Sequence, residues 1–276
     1  MAKVVSAVAT SHILMSPQGA EAPAQRVFDG MLRIGRHVRD SKPDVVVVIS
    51  NDHMFNIGPA VTAPFLVACC ERMTPFGEMD IPREEYRCDA RFATGFAEFA
   101  GRHDLSIQKL GSLRPDHGTA VPLLFANPDR DAAVVPIFVN YDLEPPPSPA
   151  DCWRLGALLE QFISLVRPRD ERVALVAAGG LSHWVGYEDA SINEAFDRRF
   201  LEAMERGDLA AWRGRMAGDI RSEGGNGGME VMSWMAMAAA VPGARAQTLY
   251  YEPMPSWMTG MGGVVMNMSE GAQHGH

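Results

Sequence analysis

Val45-Val46-Val47-Val48-Ile49 is an unbroken run of β-branched residues. Such residues lose side-chain freedom in a helix but fit a pleated sheet, and a strand buried on both faces accepts them at every position. A strand of that kind needs cover on both sides. Further apolar runs over 4–10, 64–70, 105–110, 132–140, 173–178 and 262–268 read as strands. Amphipathic or apolar stretches over 23–40, 83–100, 153–166, 192–204 and 231–241 read as helices between them. This alternation predicts an α/β fold, a single domain with a central, mostly parallel or mixed sheet flanked by helices. The expected domain spans 1–270, with a short flexible tail over 271–276. The prolines in 144–150 read as a stiff connection inside that domain.

Charge narrows the partners. The chain has 34 Asp and Glu against 25 Lys and Arg, a net charge of −9, and its arginine clusters are interleaved with acids. A nucleic-acid partner is therefore not expected. The longest apolar helical stretch, 231–241, is far shorter than the ~20 residues that span a bilayer, and the N-terminus lacks a signal-type apolar region. The four cysteines form no CxxC pair and read as reduced thiols. A soluble cytoplasmic protein without a membrane partner is the expectation.

The histidines are placed unevenly. His12, His53 and His183 each follow the carboxyl end of a strand-like run, and His117 sits in the turn Arg114-Pro115-Asp116-His117-Gly118. Ligands of open α/β sheets bind outside the carboxyl ends of strands, so these side chains would meet at one mouth. Each taken singly could equally cap its own strand or satisfy a local carbonyl. His37 and His103 lie in helical, surface-like contexts. Glu230 opens a helix in which only it and Ser233 are hydrophilic before Pro242. A helix apolar all round is buried, and a buried carboxylate needs a partner. Two readings follow for Glu230: a first-turn residue complementing the helix dipole from a solvent edge, or a metal ligand. The glycine-rich stretch before it lacks the Lys-Ser/Thr of a phosphate-binding loop. Two histidines and one carboxylate make the facial triad of non-haem Fe(II) oxygen chemistry, although zinc fits the same ligand types. Further histidines in the mouth suit proton transfer.

Ser11-His12, Asn51-Asp52-His53, Asp116-His117-Gly118 with Pro122-Leu123, Gly179-Gly180-Leu181-Ser182-His183, and Glu230 before a Trp-bearing helix occur in that order. With Tyr250-Tyr251-Glu252-Pro253-Met254-Pro255-Ser256-Trp257, this pattern resembles the class III (type II) extradiol ring-cleaving dioxygenases. That family includes 3-carboxyethylcatechol 2,3-dioxygenase and the catalytic subunit of protocatechuate 4,5-dioxygenase. The resemblance implies that His12, His53 and Glu230 hold Fe(II). It implies that His183 is the acid/base acting on the substrate, and that His117 transfers a second proton or orients the substrate. It further implies an aromatic diol or aminophenol as substrate, O2 as co-substrate, and a ring-opened semialdehyde or keto acid as product. Homo-oligomeric assembly is implied as well, in some relatives with a small helical partner subunit. A short stretch between His183 and Glu230 and the presence of Trp184 depart from the pattern and leave the ring substituent open. The alternatives are a zinc-dependent hydrolase using the same pocket and a non-enzymatic interaction protein of the same fold. The latter predicts broken metal ligands, whereas all three are intact here.

Overall fold

The β-branched run lies inside an eight-stranded sheet and is buried at every position. The structure is a computed structural model that describes residues 1–53, 55–186 and 191–268. In chain order it contains β1 (Lys3–Thr10), α1 (Glu21–Asp40), β2 (Val45–Ser50), β3 (Phe65–Ala68), β4 (Arg72–Met73) and β5 (Tyr86–Arg87). There follow α2 (Ala90–Arg102), β6 (Gln108–Leu110), α3 (His117–Ala126), β7 (Ala133–Val139), α4 (Pro149–Val166) and β8 (Arg172–Ala178). The last elements are α5 (Glu194–Arg206), α6 (Ala210–Arg213), α7 (Ala217–Gly224), α8 (Val231–Ala239), β9 (Arg245–Met254) and β10 (Thr259–Asn267). The tail expected over 271–276 lies outside the described residues.

The sheet order is β6-β3-β7-β2-β8-β1-β10-β9. Its centre, β7-β2-β8-β1, is parallel, while β3 joins β7, β10 joins β1 and β9 joins β10 in antiparallel fashion. The sheet is therefore mixed around a parallel core. Alternate residues of β2 serve opposite faces, as the two-residue period of a strand requires. Val45, Val47 and Ile49 pack with α2, α4 and α8, whereas Val46 and Val48 pack with α1 and α3. This two-sided burial is what a run of five β-branched residues demands. Thr10 pairs with Ala178, Ile49 with Ala177 and Ser50 with Phe138, so β1, β2 and β8 end at one level.

Several boundaries differ from the sequence expectation. The helix expected over 83–100 starts at Ala90, because Asp89 accepts the amide of Phe92 at 2.8 Å and caps it, while Tyr86–Arg87 pairs with β4. The helix expected from 153 starts at Pro149, behind a capping box of Ser148 and Asp151. The segment after His117 forms α3, although Pro122 lies inside it. β9 was not expected: it is an edge strand with mixed burial and a polar-apolar pattern too irregular to read. α6 and α7 are one-turn and two-turn elements without a periodic stripe long enough to detect. Among the described residues no helix is long and apolar enough to cross a membrane.

α8 is buried along its whole length, as its composition required. Its ties to the sheet are polar and specific. Trp234 Nε1 donates to the Gly179 carbonyl at 3.2 Å, just past the end of β8, and Ser233 Oγ meets Tyr141 Oη at 2.7 Å, just past β7. Trp234→Phe leaves the Gly179 carbonyl without its donor in a dry interior. Urea denaturation should show a loss of roughly 1–3 kcal/mol, the cost of an unsatisfied buried acceptor. An unchanged midpoint would mean that α8 is held by packing alone.

Candidate active site

The common level of the strand ends sets the site. Ser11, immediately after β1, donates its amide to the Gly262 carbonyl and accepts the Gly262 amide on Oγ, both at 2.9 Å. This doubly pinned turn delivers His12 into the interior, with no exposed surface. After β2, the Asp52 carboxylate accepts the amides of Asn56 at 2.7 Å and Ile57 at 2.8 Å and shapes the loop that carries His53. Asp116 then fixes the imidazole. Its Oδ2 accepts the His53 backbone amide at 2.7 Å and lies 2.8 Å from ring Nδ1, while Oδ1 caps α3 by accepting the Gly118 amide at 3.1 Å. A carboxylate facing Nδ1 keeps the proton on that nitrogen and turns Nε2 toward Glu230, its other hydrogen-bond partner.

Glu230 is the centre of the constellation. Its Oε1 lies 3.3 Å from His53 Nε2 and 3.6 Å from His12 Nε2, and its Oε2 lies 3.7 Å from His183 Nε2. The Gly180 amide, in the loop after β8, donates to Oε2 at 2.6 Å. Burial alone would raise the Glu230 pKa, but the three surrounding imidazoles hold the carboxyl well below the usual carboxylate range. Burial opposes charge on His53 too. Asp116 and Glu230 outweigh it and push that pKa up to about 10. His117 opens α3 with its ring stacked on His53, centroids 4.1 Å apart. Its backbone amide donates to Glu78 Oε1, and its Nδ1 lies 3.4 Å from the same oxygen. His183 Nδ1 lies 2.9 Å from the Leu181 carbonyl, which can only accept, so Nδ1 carries a proton and Nε2 faces Glu230.

All five residues expected from the sequence thus meet in one cluster. His12 tests whether a metal fits. Burial pushes its pKa down to about 3, so the ring is neutral, and both its nitrogens are buried without a hydrogen-bond partner. Buried polar atoms are seldom left so, and a cation beside Glu230 would satisfy Nε2. Two donor sets share His12 and His53: one completed by the Glu230 carboxylate, the other by His117, whose ring nitrogen joins theirs within 4.8 Å.

Asp116 and Glu78 were not assigned roles from the sequence. Asp116 had a signal, as an Asp two residues before a Gly at a turn into an apolar segment reads as a helix cap. Glu78 had none, because it reaches His117 from a loop distant in the chain. Glu223, the other acid near the glycine-rich stretch, faces the surface and pairs with Arg199 and Arg215. That stretch makes room rather than binding phosphate: a Cβ on Gly227 would lie 1.9 Å from His183 Nε2. His37 is exposed on α1 and His103 is exposed at the end of α2.

Asp116→Ala removes the group that holds the His53 ring and its tautomer. Metal affinity, measured by chelator competition, should fall roughly 10–100-fold while His53 itself is retained. Unchanged affinity would mean that Asp116 serves only as the cap of α3.

Comparison with known proteins agrees with this geometry. The family model described as the catalytic LigB subunit of aromatic ring-opening dioxygenase matches residues 7–262. Among curated proteins, the chain is 28% identical to a 2,3-dihydroxyphenylpropionate/2,3-dihydroxicinnamic acid 1,2-dioxygenase of Burkholderia vietnamiensis, covering 87% of this chain and 90% of that protein. It is 24% identical to the protein of the same name from Photorhabdus laumondii, covering 93% and 95%. The protein of that name from Mycolicibacterium paratuberculosis is also 24% identical, over 94% and 97%. Among solved structures, an uncharacterized protein, JW3007, from Escherichia coli K12 superposes with a TM-score of 0.60 at 15% identity, covering 95% of this chain and all of that one. With its family model matched from the first strand to the last, the chain belongs to the LigB family, the extradiol class of aromatic ring-opening dioxygenases.

Proposed function

We propose that the chain holds Fe(II) through His12, His53 and Glu230 and opens the ring of a catechol-type substrate with O2, giving a semialdehyde or keto acid. The observation that carries the reading is the buried Glu230 carboxylate within 3.3–3.7 Å of three imidazoles, one of which, His12, has both ring nitrogens buried without a hydrogen-bond partner. Glu230 is favoured over His117 as third ligand because it brings the negative charge that a dication needs. When bound, Fe(II) would supply a charge that acidifies the diol and exchangeable positions for diol and O2.

The protein's own groups then divide the proton work. His183 Nε2, a lone pair by virtue of the Nδ1 bond to Leu181, accepts a proton from a substrate hydroxyl. His117, held at Glu78 and stacked on His53, returns a proton later or orients the ring. Asp116 keeps His53 from turning. An aromatic ring would need apolar surface to enter against. Met15, Phe55, Met79, Val185 and Met258 are all large, exposed and close in the chain to site residues or their partners.

The relatives' names describe diols with a carboxylated side chain, and we propose Arg114 as the cation that would meet it. Its guanidinium stacks 4.4 Å from the Phe76 ring centroid, and Phe76 packs on Phe55 at 4.7 Å. Its backbone is locked to Asn56 at 2.9 and 3.1 Å, which ties the His53 and His117 loops together. Arg114→Gln should raise KM for 3-(2,3-dihydroxyphenyl)propionate and leave catechol untouched. Equal effects on both would remove the carboxylate from the assignment. The free cysteines suit work in the cytoplasm, and homo-oligomeric assembly, with or without a small helical subunit, is carried from the resemblance and checked by light scattering.

Anaerobically purified protein should hold about one Fe(II) per chain, as a single facial triad requires. It should consume O2 with a catechol panel and form coloured ring-fission products. Glu230→Ala, His12→Ala and His53→Ala should lose iron. His117→Ala and His183→Ala should keep it, with His183→Ala slower by roughly 10²–10⁴. Full turnover with zinc and without O2 would instead establish the hydrolase reading. Iron lost from His117→Ala but not from Glu230→Ala would make the three-histidine set the true one.

A further inference from the structure

Asp197 is a carboxylate that the chemistry above does not use. It sits in the first turns of α5 on the face formed by Phe196, Phe200 and Leu201, with no exposed surface. Among the described residues no Lys or Arg forms an ion pair with it. A carboxylate in such a place is costly unless hydrogen bonds hold it. Burial pushes its pKa up to about 6, against the pull of its donors.

Its donors converge on one neighbour of the site. Asp197 Oδ1 accepts the Ser182 backbone amide at 2.7 Å, and Oδ2 accepts Ser182 Oγ at 3.0 Å and Tyr251 Oη at 2.9 Å. Ser182 Oγ in turn accepts the Asn193 amide at 2.9 Å, and the Ser182 carbonyl accepts the Gly260 amide at 2.9 Å. Every polar atom of Ser182 is thereby engaged. The next residue is His183, whose amide donates to Gly224 at 2.8 Å and whose ring is tied to Leu181 on the other side of Ser182. Gly260 makes this possible, since a Cβ there would lie 2.1 Å from Asp197 Oδ2. The carboxylate therefore clamps the middle residue of Leu181-Ser182-His183, the segment that both carries the imidazole and supplies the carbonyl fixing its tautomer.

We propose that Asp197 is a positioning residue for the acid/base His183, acting through Ser182 with Tyr251 as a second donor. The proposal rests on the reading of His183 as the acid/base. A neutral amide in place of the carboxylate cannot accept from Ser182 and Tyr251 on both of its branches, so the segment gains freedom where the imidazole needs a fixed direction. Metal ligation is separate, because His12, His53 and Glu230 are held by other bonds.

The test uses the full-length, iron-loaded protein and four variants: Asp197→Asn, Ser182→Ala, Tyr251→Phe and His183→Ala. Asp197→Asn should lower kcat roughly 10–100-fold, the scale of a misdirected reacting group. Iron content and anaerobic catechol affinity should stay unchanged, and the solvent isotope effect on kcat should rise as proton transfer becomes limiting. In the metal-free protein, ¹⁵N NMR of the His183 ring should show the single Nδ1–H form in wild type and exchange between tautomers in Asp197→Asn. Combining Asp197→Asn with Ser182→Ala should cost less than the product of the two separate losses. If Asp197→Asn does not fold, Tyr251→Phe and Ser182→Ala should each show a smaller loss with the same signature. The proposal is overturned if His183→Ala is slow while Asp197→Asn keeps its kcat. It is equally overturned if the loss follows iron content or melting temperature, or if neither Ser182→Ala nor Tyr251→Phe changes kcat. A His183→Ala variant of full activity would overturn the acid/base reading itself.

Discussion

The Glu230 carboxylate is the group on which the site depends. A buried anion is stable only where its surroundings answer it, and here they do so from separate parts of the chain. The Gly180 amide comes from the loop after β8, and the imidazoles of His12, His53 and His183 come from the ends of β1, β2 and β8. Removing the parallel register of those strands would scatter the imidazoles and leave the charge alone. The anion and the register therefore stabilise each other, and α8, tied by Trp234 and Ser233 to the sheet, brings the carboxylate to the meeting point.

Around that centre the same device recurs with different effect. A carboxylate beside an imidazole holds its residue: Asp116 bonds the His53 ring, and Glu78 accepts the backbone amide of His117. His183 is directed by a carbonyl instead. Asp197 sits one residue further out and works on the backbone rather than on the ring.

Much of this was legible in the sequence because strands announce themselves by period and histidines by position. The β-branched run at 45–49 required a sheet covered on both faces, and α2, α4 and α8 on one side with α1 and α3 on the other supply the cover. The motifs at His12, His53, His117, His183 and Glu230 led to the family now shown by its matching model. β9 escaped because an edge strand needs no clean alternation, and the start of α2 escaped because a cap at Asp89, not an apolar period, decides it.

What the sequence determined by itself was local: which segments are strands, that the helix after Glu230 must be buried, and which residue types stand at the strand ends. Those follow from side-chain shape, period and solvation, which each residue carries with it. Only the tertiary structure decided which atoms face each other. Glu78 meets His117 across 39 positions, Asp116 meets His53 across 63 and Tyr251 meets Asp197 across 54. Such pairs depend on register and loop closure, and no property of either residue alone records its distant partner.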